Sequence, residues 1–165
     1  MSHQLALITG ASSGIGATYA KQLAARGNDL ILVARDAARL SALAQSLREA
    51  HGVEVSVLAA DLTRHEDLTR IDSELRNNTR ITTLINNAGM TVEGEFIDAS
   101  IDQTQTMLAL NVVALTQLSH TAAQVFRSRN AGTIVNVASV LALVNEQANG
   151  AYNATKAFGL SLTRN

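Results

Sequence analysis

The sequence lacks cysteine and proline altogether and contains few aromatic residues. Without cysteine the chain can form no disulfide, no thiolate metal site and no cysteine nucleophile, which fits a reducing compartment and makes the cytoplasm the expected location. The aromatic residues are three phenylalanines and two tyrosines, with no tryptophan. Alanine, leucine and valine must therefore fill most of the core.

Charge of one sign and long apolar runs are also missing. The 13 basic and 14 acidic residues give a net charge of -1, so no attraction to nucleic acid or to an anionic membrane is expected. No apolar run approaches the roughly 18 residues of a membrane span, and residues 1–4 lack the pattern of a secretory signal. With 165 residues, 47% of them hydrophobic, the chain is expected to form one domain over residues 1–165.

Short apolar runs alternate with amphipathic segments along the chain, and this order predicts strands that alternate with helices. It is typical of a doubly wound parallel sheet covered by helices on both faces, a three-layer α/β/α Rossmann fold. Asp36 is a predicted cap of the second helix, and Thr63 with Glu66 a capping box for the third. The predicted strands are 5–9, 30–34, 53–59, 83–86 and 132–139, and the predicted helices are 15–26, 36–51, 63–76, 100–129 and one from about residue 152.

A glycine-rich turn joins the first strand to the first helix. Its spacing differs from the common Gly-x-Gly-x-x-Gly fingerprint, but its placement brings backbone N–H groups and the positive end of a helix dipole to the end of a parallel strand. A diphosphate is expected to bind there, and a turn of purely structural value is the alternative. The candidate contacts are Gly10, Ser12, Ser13, Gly14, Ile15 and Gly16.

The residues after the second strand indicate which dinucleotide would bind. NAD-selective sites place a carboxylate there, whereas this chain has Arg35 after Ala34, and a guanidinium suits a 2′-phosphate. NADP(H) is therefore favoured, with Arg39 and Ser12 as further candidate contacts. The alternative is that Arg35 is a solvated surface charge. Asp36 keeps NAD possible.

Four residues form a candidate catalytic set. Tyr152 and Lys156 share one face of a helix, and an ammonium near a phenol favours the charged form that proton transfer requires, although such a pair alone is more often a solvated face. Ser139 ends the fifth predicted strand and can donate a hydrogen bond to a carbonyl oxygen or bond local backbone instead. Asn111 is a poor helix former within a long helix, which calls for a reason unless it is a plain surface residue.

These features together resemble the short-chain dehydrogenase/reductase family, in its NADP(H)-preferring type. The matching motifs occur in the family's order and cover the chain from residue 5 to residue 165. They are Thr9-Gly10-x-x-x-Gly14-x-Gly16, Asp61-Leu62, Asn86-Asn87-Ala88-Gly89, Asn111, Ser139 and Tyr152-x-x-x-Lys156.

The resemblance implies an oxidoreductase that transfers a hydride between NADP(H) and a carbonyl or alcohol carbon of a small-molecule substrate. Tyr152 would be the general acid/base, and Lys156 would assist it and bind the nicotinamide ribose. Ser139 would orient the substrate oxygen, and Asn111 would hold a water that links the lysine to solvent. The cofactor contacts that the resemblance adds are Asp61, Leu62, Asn87, Ala88, Gly89, Tyr152 and Lys156.

The resemblance also carries expectations about size and assembly. Family members continue beyond the tyrosine helix, so the chain is expected to lack the last strands and to be a fragment of a longer protein. They pair through the long helix and the tyrosine helix, which implies a homo-oligomer, a dimer or tetramer. Residues 90–96 and 140–150 suggest a partly apolar substrate. No metal site is expected, because no two histidines have ligand spacing.

The competing hypothesis is a dinucleotide-binding sensor that keeps the fold without turnover. Binding alone needs neither serine nor tyrosine chemistry, so the presence of Ser139, Tyr152 and Lys156 argues against it.

Overall fold

Five parallel strands form the centre of the structure, a computed structural model that describes residues 4–92, 94–144 and 150–164. Their order across the sheet is β3-β2-β1-β4-β5, so the first strand lies in the middle and the chain winds outward in both directions. This confirms the predicted α/β fold. The strands are β1 (Leu5–Thr9), β2 (Asp29–Ala34), β3 (Val55–Ala59), β4 (Ile81–Asn86) and β5 (Thr133–Asn136). The helices are α1 (Gly14–Ala25), α2 (Ala37–His51), α3 (His65–Asn77), α4 (Ile101–Leu108), α5 (Leu115–Ser128) and α6 (Gly150–Thr163).

The core has two halves, one on each face of the sheet, because successive strand side chains point to opposite faces. Leu7 and Val33 face the half closed by α3 and α5, whereas Ile8 and Leu32 face the half closed by α1 and α2. All five β1 side chains are buried. β1 is therefore packed on both faces, and its carboxyl end keeps the residues that follow it in a fixed position.

The predicted boundaries of several elements are wrong by a few residues. α3 begins at His65 after Arg64, and the Thr63 hydroxyl donates to Asp61 Oδ1 at 2.7 Å instead of capping the helix. The prediction that Asp36 caps α2 is confirmed, since its Oδ1 accepts from the Arg39 N–H at 2.9 Å. β5 ends at Asn136, three residues before Ser139.

The long predicted helix is continuous from Ile101 to Ser128, but its middle is wider than an α-helix. Residues Ala109–Ala114 form a π-helical segment between α4 and α5. Asn111 lies in this segment and is buried, so it is not a plain surface residue. A π-turn shifts the backbone hydrogen bonds by one residue and is often found at functional sites.

Candidate active site

The glycine turn leads from β1 into the amino end of α1, as predicted. Ser13 precedes α1 without a side-chain capping bond, and the first turn of α1 contains no acidic residue. The backbone N–H groups of this turn therefore keep their capacity to bind an anion, and the helix dipole favours one there. Gly10, Ser12, Ser13, Gly14 and Ile15 line the adjoining cavity, which has a volume of about 900 Å³.

Gly16 is not among the residues that line the cavity, but it lets two backbone segments approach each other. A Cβ on Gly16 would lie 2.5 Å from Asn87 Nδ2 and closer still to the Gly10 carbonyl oxygen. Gly10 itself has a φ of +64°, and its Cβ would lie 2.9 Å from Ala88 Cα. A side chain has no room at either position, so these glycines hold the turn against the segment that follows β4.

Thr9 organises the same contact, although the sequence analysis did not select it as a site residue. Its buried hydroxyl accepts from the backbone N–H groups of Asn87 and Ala88, both at 3.0 Å, and donates to the Ile85 carbonyl at 3.3 Å. The Asn87 amide donates in turn to the carbonyl oxygens of Thr9 and Gly10. The position of Thr9 directly before Gly10, at the end of a buried strand, was the sequence feature that could have indicated this role.

The cavity extends to the residues after β2. Arg35 and Arg39, the candidate contacts of the 2′-phosphate, line it, and both are exposed. Asp36 also lines it, but its carboxylate pairs with Arg39, with Oδ2 3.3 Å from Nε. The carboxylate is thus engaged in helix capping and ion pairing, while the structure gives Arg35 no salt bridge among the described residues.

Asp61 and Leu62 also line the cavity, shortly after β3. Asp61 Oδ1 accepts from the backbone N–H of Thr63 at 3.0 Å as well as from its hydroxyl. The Asp61 N–H donates to Asp67, which lowers the pKa of the Asp67 carboxyl, and Arg70 lowers it further. Asp61 is therefore a turn residue that also lines the cavity, which is compatible with the cofactor contact that the resemblance implies.

Tyr152 and Lys156 line a second cavity, of about 660 Å³, on one face of α6. Lys156 Nζ lies 5.7 Å from the centre of the Tyr152 ring and donates to the Val137 carbonyl at 2.9 Å. Burial lowers the pKa of Lys156, because a desolvated ammonium is disfavoured. Four residues line both this cavity and the larger one, so the two adjoin: Ile15, Asn87, Gly89 and Met90.

Ser139 lies beside the second cavity, between the lining residues Ala138 and Leu141. It follows β5 and caps a short 3-10 turn, Val140–Ala142, which packs against α6. Its oxygen accepts from the Leu141 N–H at 3.2 Å. That bond is the contact with local backbone that the sequence left open as the alternative. It uses the Ser139 oxygen as an acceptor and leaves the hydroxyl proton available for donation.

Asn111 does not line the second cavity, but its side chain bonds to Met90, which does. Its Oδ1 accepts from the Met90 N–H at 3.0 Å, and its Nδ2 donates to the Met90 carbonyl at 2.8 Å. The second Nδ2 proton goes to the Thr155 hydroxyl at 3.1 Å. Val137, Thr155 and the bonds from Met90 to Asn111 were not predicted from the sequence, because each acts through a long-range contact.

Two further predictions concern the surroundings of the site. The described part of residues 90–96 includes exposed Phe96, and residues 140–144 include exposed Val140 and Leu143; Glu93 and residues 145–149 lie outside the described residues. Over the described ranges, no cluster of three potential metal ligands occurs. Within those same ranges, no helix is long and apolar enough to cross a membrane.

Comparison with known proteins identifies similar chains. A family model described as short chain dehydrogenase matches residues 4–165. The human 17-beta-hydroxysteroid dehydrogenase type 3 is 32% identical over 158 residues, which cover 94% of this chain and 50% of the relative. The chain thus spans about half the length of that relative, and two thirds or less of the solved structures described next.

Two solved structures superpose closely on the chain. The bulky-bulky ketone specific alcohol dehydrogenase from Comamonas testosteroni is 44% identical, with a TM-score of 0.97, over 99% of this chain and 66% of that one. A short-chain dehydrogenase from Sphingobium yanoikuyae, in complex with NADPH, is 48% identical, with a TM-score of 0.96, over 98% of this chain and 63% of that one.

Proposed function

The chain belongs to the short-chain dehydrogenase family, and from that premise we propose that it is an oxidoreductase that reduces ketones with NADPH. The observation that carries the proposal is the pairing of Tyr152 and Lys156 on the wall of a cavity that adjoins the glycine turn. The proposed diphosphate site and the proposed proton donor thus lie in two cavities that share part of their lining. The proposal assigns residues 1–165 to one nucleotide-binding and catalytic domain.

The larger cavity fits a dinucleotide. The uncapped amino end of α1 suits the diphosphate, and Asp61 and Leu62 are proposed to hold the adenine. Asn87, Ala88 and Gly89 line the larger cavity, and Asn87 and Gly89 also line the second one. When bound, NADPH supplies the hydride. Lys156 and Tyr152 are proposed to contact its nicotinamide ribose, since both line the second cavity.

The side chains of the second cavity have separate roles in moving a proton. Tyr152 Oη gives its proton to the substrate oxygen, and the nearby Lys156 ammonium stabilises the phenolate that results. Lys156 is held in place by the Val137 carbonyl. The Ser139 hydroxyl donates to the same substrate oxygen and polarises the carbonyl. Asn111 is proposed to support this proton transfer by holding Met90 and Thr155 in place near Lys156.

The proposed substrates are ketones with two bulky apolar groups. Leu141, Met90 and Val137 border the second cavity, and Val140 is exposed beside it. The similarity to a bulky-bulky ketone specific dehydrogenase supports this class. Apolar walls bind apolar substituents on both sides of a carbonyl better than they bind a small polar substrate.

The function is tested by turnover. The purified chain is mixed with NADPH and isobutyrophenone, with acetone as the small control, and NADPH absorbance is followed. We expect NADPH consumption that is faster with isobutyrophenone. Binding of NADPH in calorimetry without oxidation over a panel of ketones would contradict the proposal and favour the dinucleotide-binding sensor.

Cofactor preference is proposed to depend on Arg35. In Arg35→Ser, the loss of a charge-assisted contact worth about 1.5–3 kcal/mol should weaken NADPH binding by about 10- to 100-fold. NADH affinity should change little, because NADH has no 2′-phosphate. Calorimetric titration with each cofactor measures the ratio. Arg127→Ser removes an exposed arginine that does not line the cavity and should change neither affinity; equal losses for both cofactors in Arg35→Ser would contradict the assignment.

We further propose that the protein acts in the cytoplasm as a homo-oligomer, a dimer or tetramer. The location rests on composition alone. The assembly is supported by exposed apolar side chains on the long helix and on α6, and the mass of a single chain in light scattering would contradict it. These side chains are Ile101, Leu108, Val113 and Phe158.

A further inference from the structure

Thr155 has a buried hydroxyl that the proposed chemistry does not use. It lies on α6 between Tyr152 and Lys156, and only 2% of its surface is exposed. The hydroxyl is 2.7 Å from the Tyr152 carbonyl and 3.1 Å from Asn111 Nδ2. The carbonyl can only accept and the amide nitrogen can only donate, so the hydroxyl must donate to Tyr152 and accept from Asn111.

The orientation of Asn111 is fixed in the same way. The Met90 N–H requires an oxygen, so it selects Oδ1, and the Met90 carbonyl requires an N–H, so it selects Nδ2. One Nδ2 proton remains, and it points to Thr155. Each polar atom along the path from Met90 to the Tyr152 turn thus has one possible role, and the path has a single arrangement.

The path joins two walls of one cavity. Met90 and Tyr152 both line the second cavity, one from the segment after β4 and the other from α6. Gly89 lines the same cavity, and a Cβ on it would be 3.3 Å from Asn111 Oδ1 and 3.5 Å from Lys156 Nζ. The absence of a side chain at Gly89 lets the lysine and the asparagine approach each other across this wall.

We propose that Thr155 is a positioning residue that fixes the Tyr152–Lys156 turn against Met90 through Asn111. This inference rests on the proposed function for its effect on turnover. The Thr155 hydroxyl bonds to the Tyr152 carbonyl and to Asn111, and not to the Tyr152 phenol or the Lys156 ammonium. It acts by holding the phenol and the ammonium at their observed separation, so that the ammonium supports the phenolate at the moment of proton transfer.

The test compares Thr155→Val, which keeps the shape and removes the hydroxyl, with Thr155→Ser, which keeps the hydroxyl. With NADPH and isobutyrophenone, we expect kcat of Thr155→Val to fall about tenfold or more, because small misplacements of reacting groups are costly. KM and NADPH affinity should change by less than about twofold, since binding contacts are kept. Thr155→Ser should retain the parent kcat.

A second measurement needs neither substrate nor cofactor. The chain has two tyrosines and no tryptophan, so in a Tyr19→Phe background the ultraviolet absorbance of tyrosinate reports Tyr152 alone. Ionisation of the phenol should move to higher pH in Thr155→Val and stay in place in Thr155→Ser. A merely structural role would lower the melting temperature without moving this titration.

The outcomes separate the two proposals. An unchanged phenol titration in Thr155→Val, or an equal shift in Thr155→Ser, would overturn the role of the hydroxyl whether or not the parent reduces ketones. Lack of turnover by the parent would instead count against the proposed function. If Thr155→Val does not fold by circular dichroism, Thr155→Ala compared with Thr155→Ser decides the same question by the same two criteria.

Discussion

Replacement of Tyr152 by phenylalanine is expected to lower kcat sharply, with a much smaller loss of cofactor affinity. The change removes one oxygen atom from a partly exposed ring that lies 5.7 Å from Lys156 Nζ. Positioned general acids contribute about 10²- to 10⁴-fold to rate, so kcat with NADPH and isobutyrophenone should fall by that factor. The apolar part of the ring is unchanged, and the melting temperature should therefore stay close to that of the parent.

The chain itself supplies a matched control for this prediction. Tyr19 is the other tyrosine, lies on α1 and does not line the cavity that contains Tyr152. Tyr19→Phe makes the same chemical change elsewhere and should keep the parent kcat. Steady-state NADPH oxidation measures both variants. Calorimetry should give an NADPH affinity within about tenfold of the parent for Tyr152→Phe, because at most one neutral hydrogen bond to the ribose is lost, worth about 0.5–1.5 kcal/mol, and an unchanged affinity for Tyr19→Phe. Substantial turnover by Tyr152→Phe would remove the phenol from the mechanism.

Much of the fold follows from local patterns in the sequence. Continuous apolar strands such as β1 predict burial on both faces, and short helix-forming segments between them require parallel pairing. The glycine turn and the Tyr152–Lys156 pair could also be placed, because each depends on spacing within one element and on its position in the order of elements.

The parts that sequence could not predict are set by competing contacts. Thr63 has the pattern of a helix cap, but the nearer acceptor on Asp61 takes its hydroxyl, and α3 begins later. Asn111 lies in the π-helical segment and bonds to Met90, 21 residues away, and to Thr155, 44 residues away. Periodicity has no information about partners at such distances.

The candidate site shows the same division. The residues proposed to bind ligands could be selected from motifs and spacing, whereas Thr9, Val137 and Thr155 could not, since they orient other residues of the site. Thr9 connects the ends of β1 and β4, and the Val137 carbonyl accepts a hydrogen bond from Lys156 of α6. Such positioning residues become visible only when the elements are assembled.

The second large effect is expected at Gly16, from a single added methyl group. In Gly16→Ala the new Cβ would overlap the Gly10 carbonyl and lie 2.5 Å from Asn87 Nδ2. Neither neighbour can move freely, because Asn87 is bonded to the Thr9 and Gly10 carbonyls and β1 is buried on both faces. We expect a loss of about 1–3 kcal/mol in the free energy of unfolding, the usual cost of overpacking.

Cofactor affinity should fall more than stability does. The added methyl group pushes the turn away from Asn87, and the N–H groups at the amino end of α1 then no longer converge on one diphosphate. NADPH binding should weaken by at least about 100-fold, since several charge-assisted hydrogen bonds worth about 1.5–3 kcal/mol each are lost together. Calorimetry measures the affinity, and thermal unfolding measures the stability.

Gly150→Ala is the control, because an added Cβ there meets nothing within 4 Å and the residue lies in α6. Gly150 is the first residue of α6, outside the helix interior where alanine is favoured over glycine by about 1 kcal/mol, so this variant should be about as stable as the parent and should bind NADPH with unchanged affinity. The same methyl group should thus have a large effect only where the surroundings leave no room for it. A Gly16→Ala variant with the parent's stability and NADPH affinity would show that the close approach of Gly10, Gly16 and Asn87 does not shape the diphosphate site.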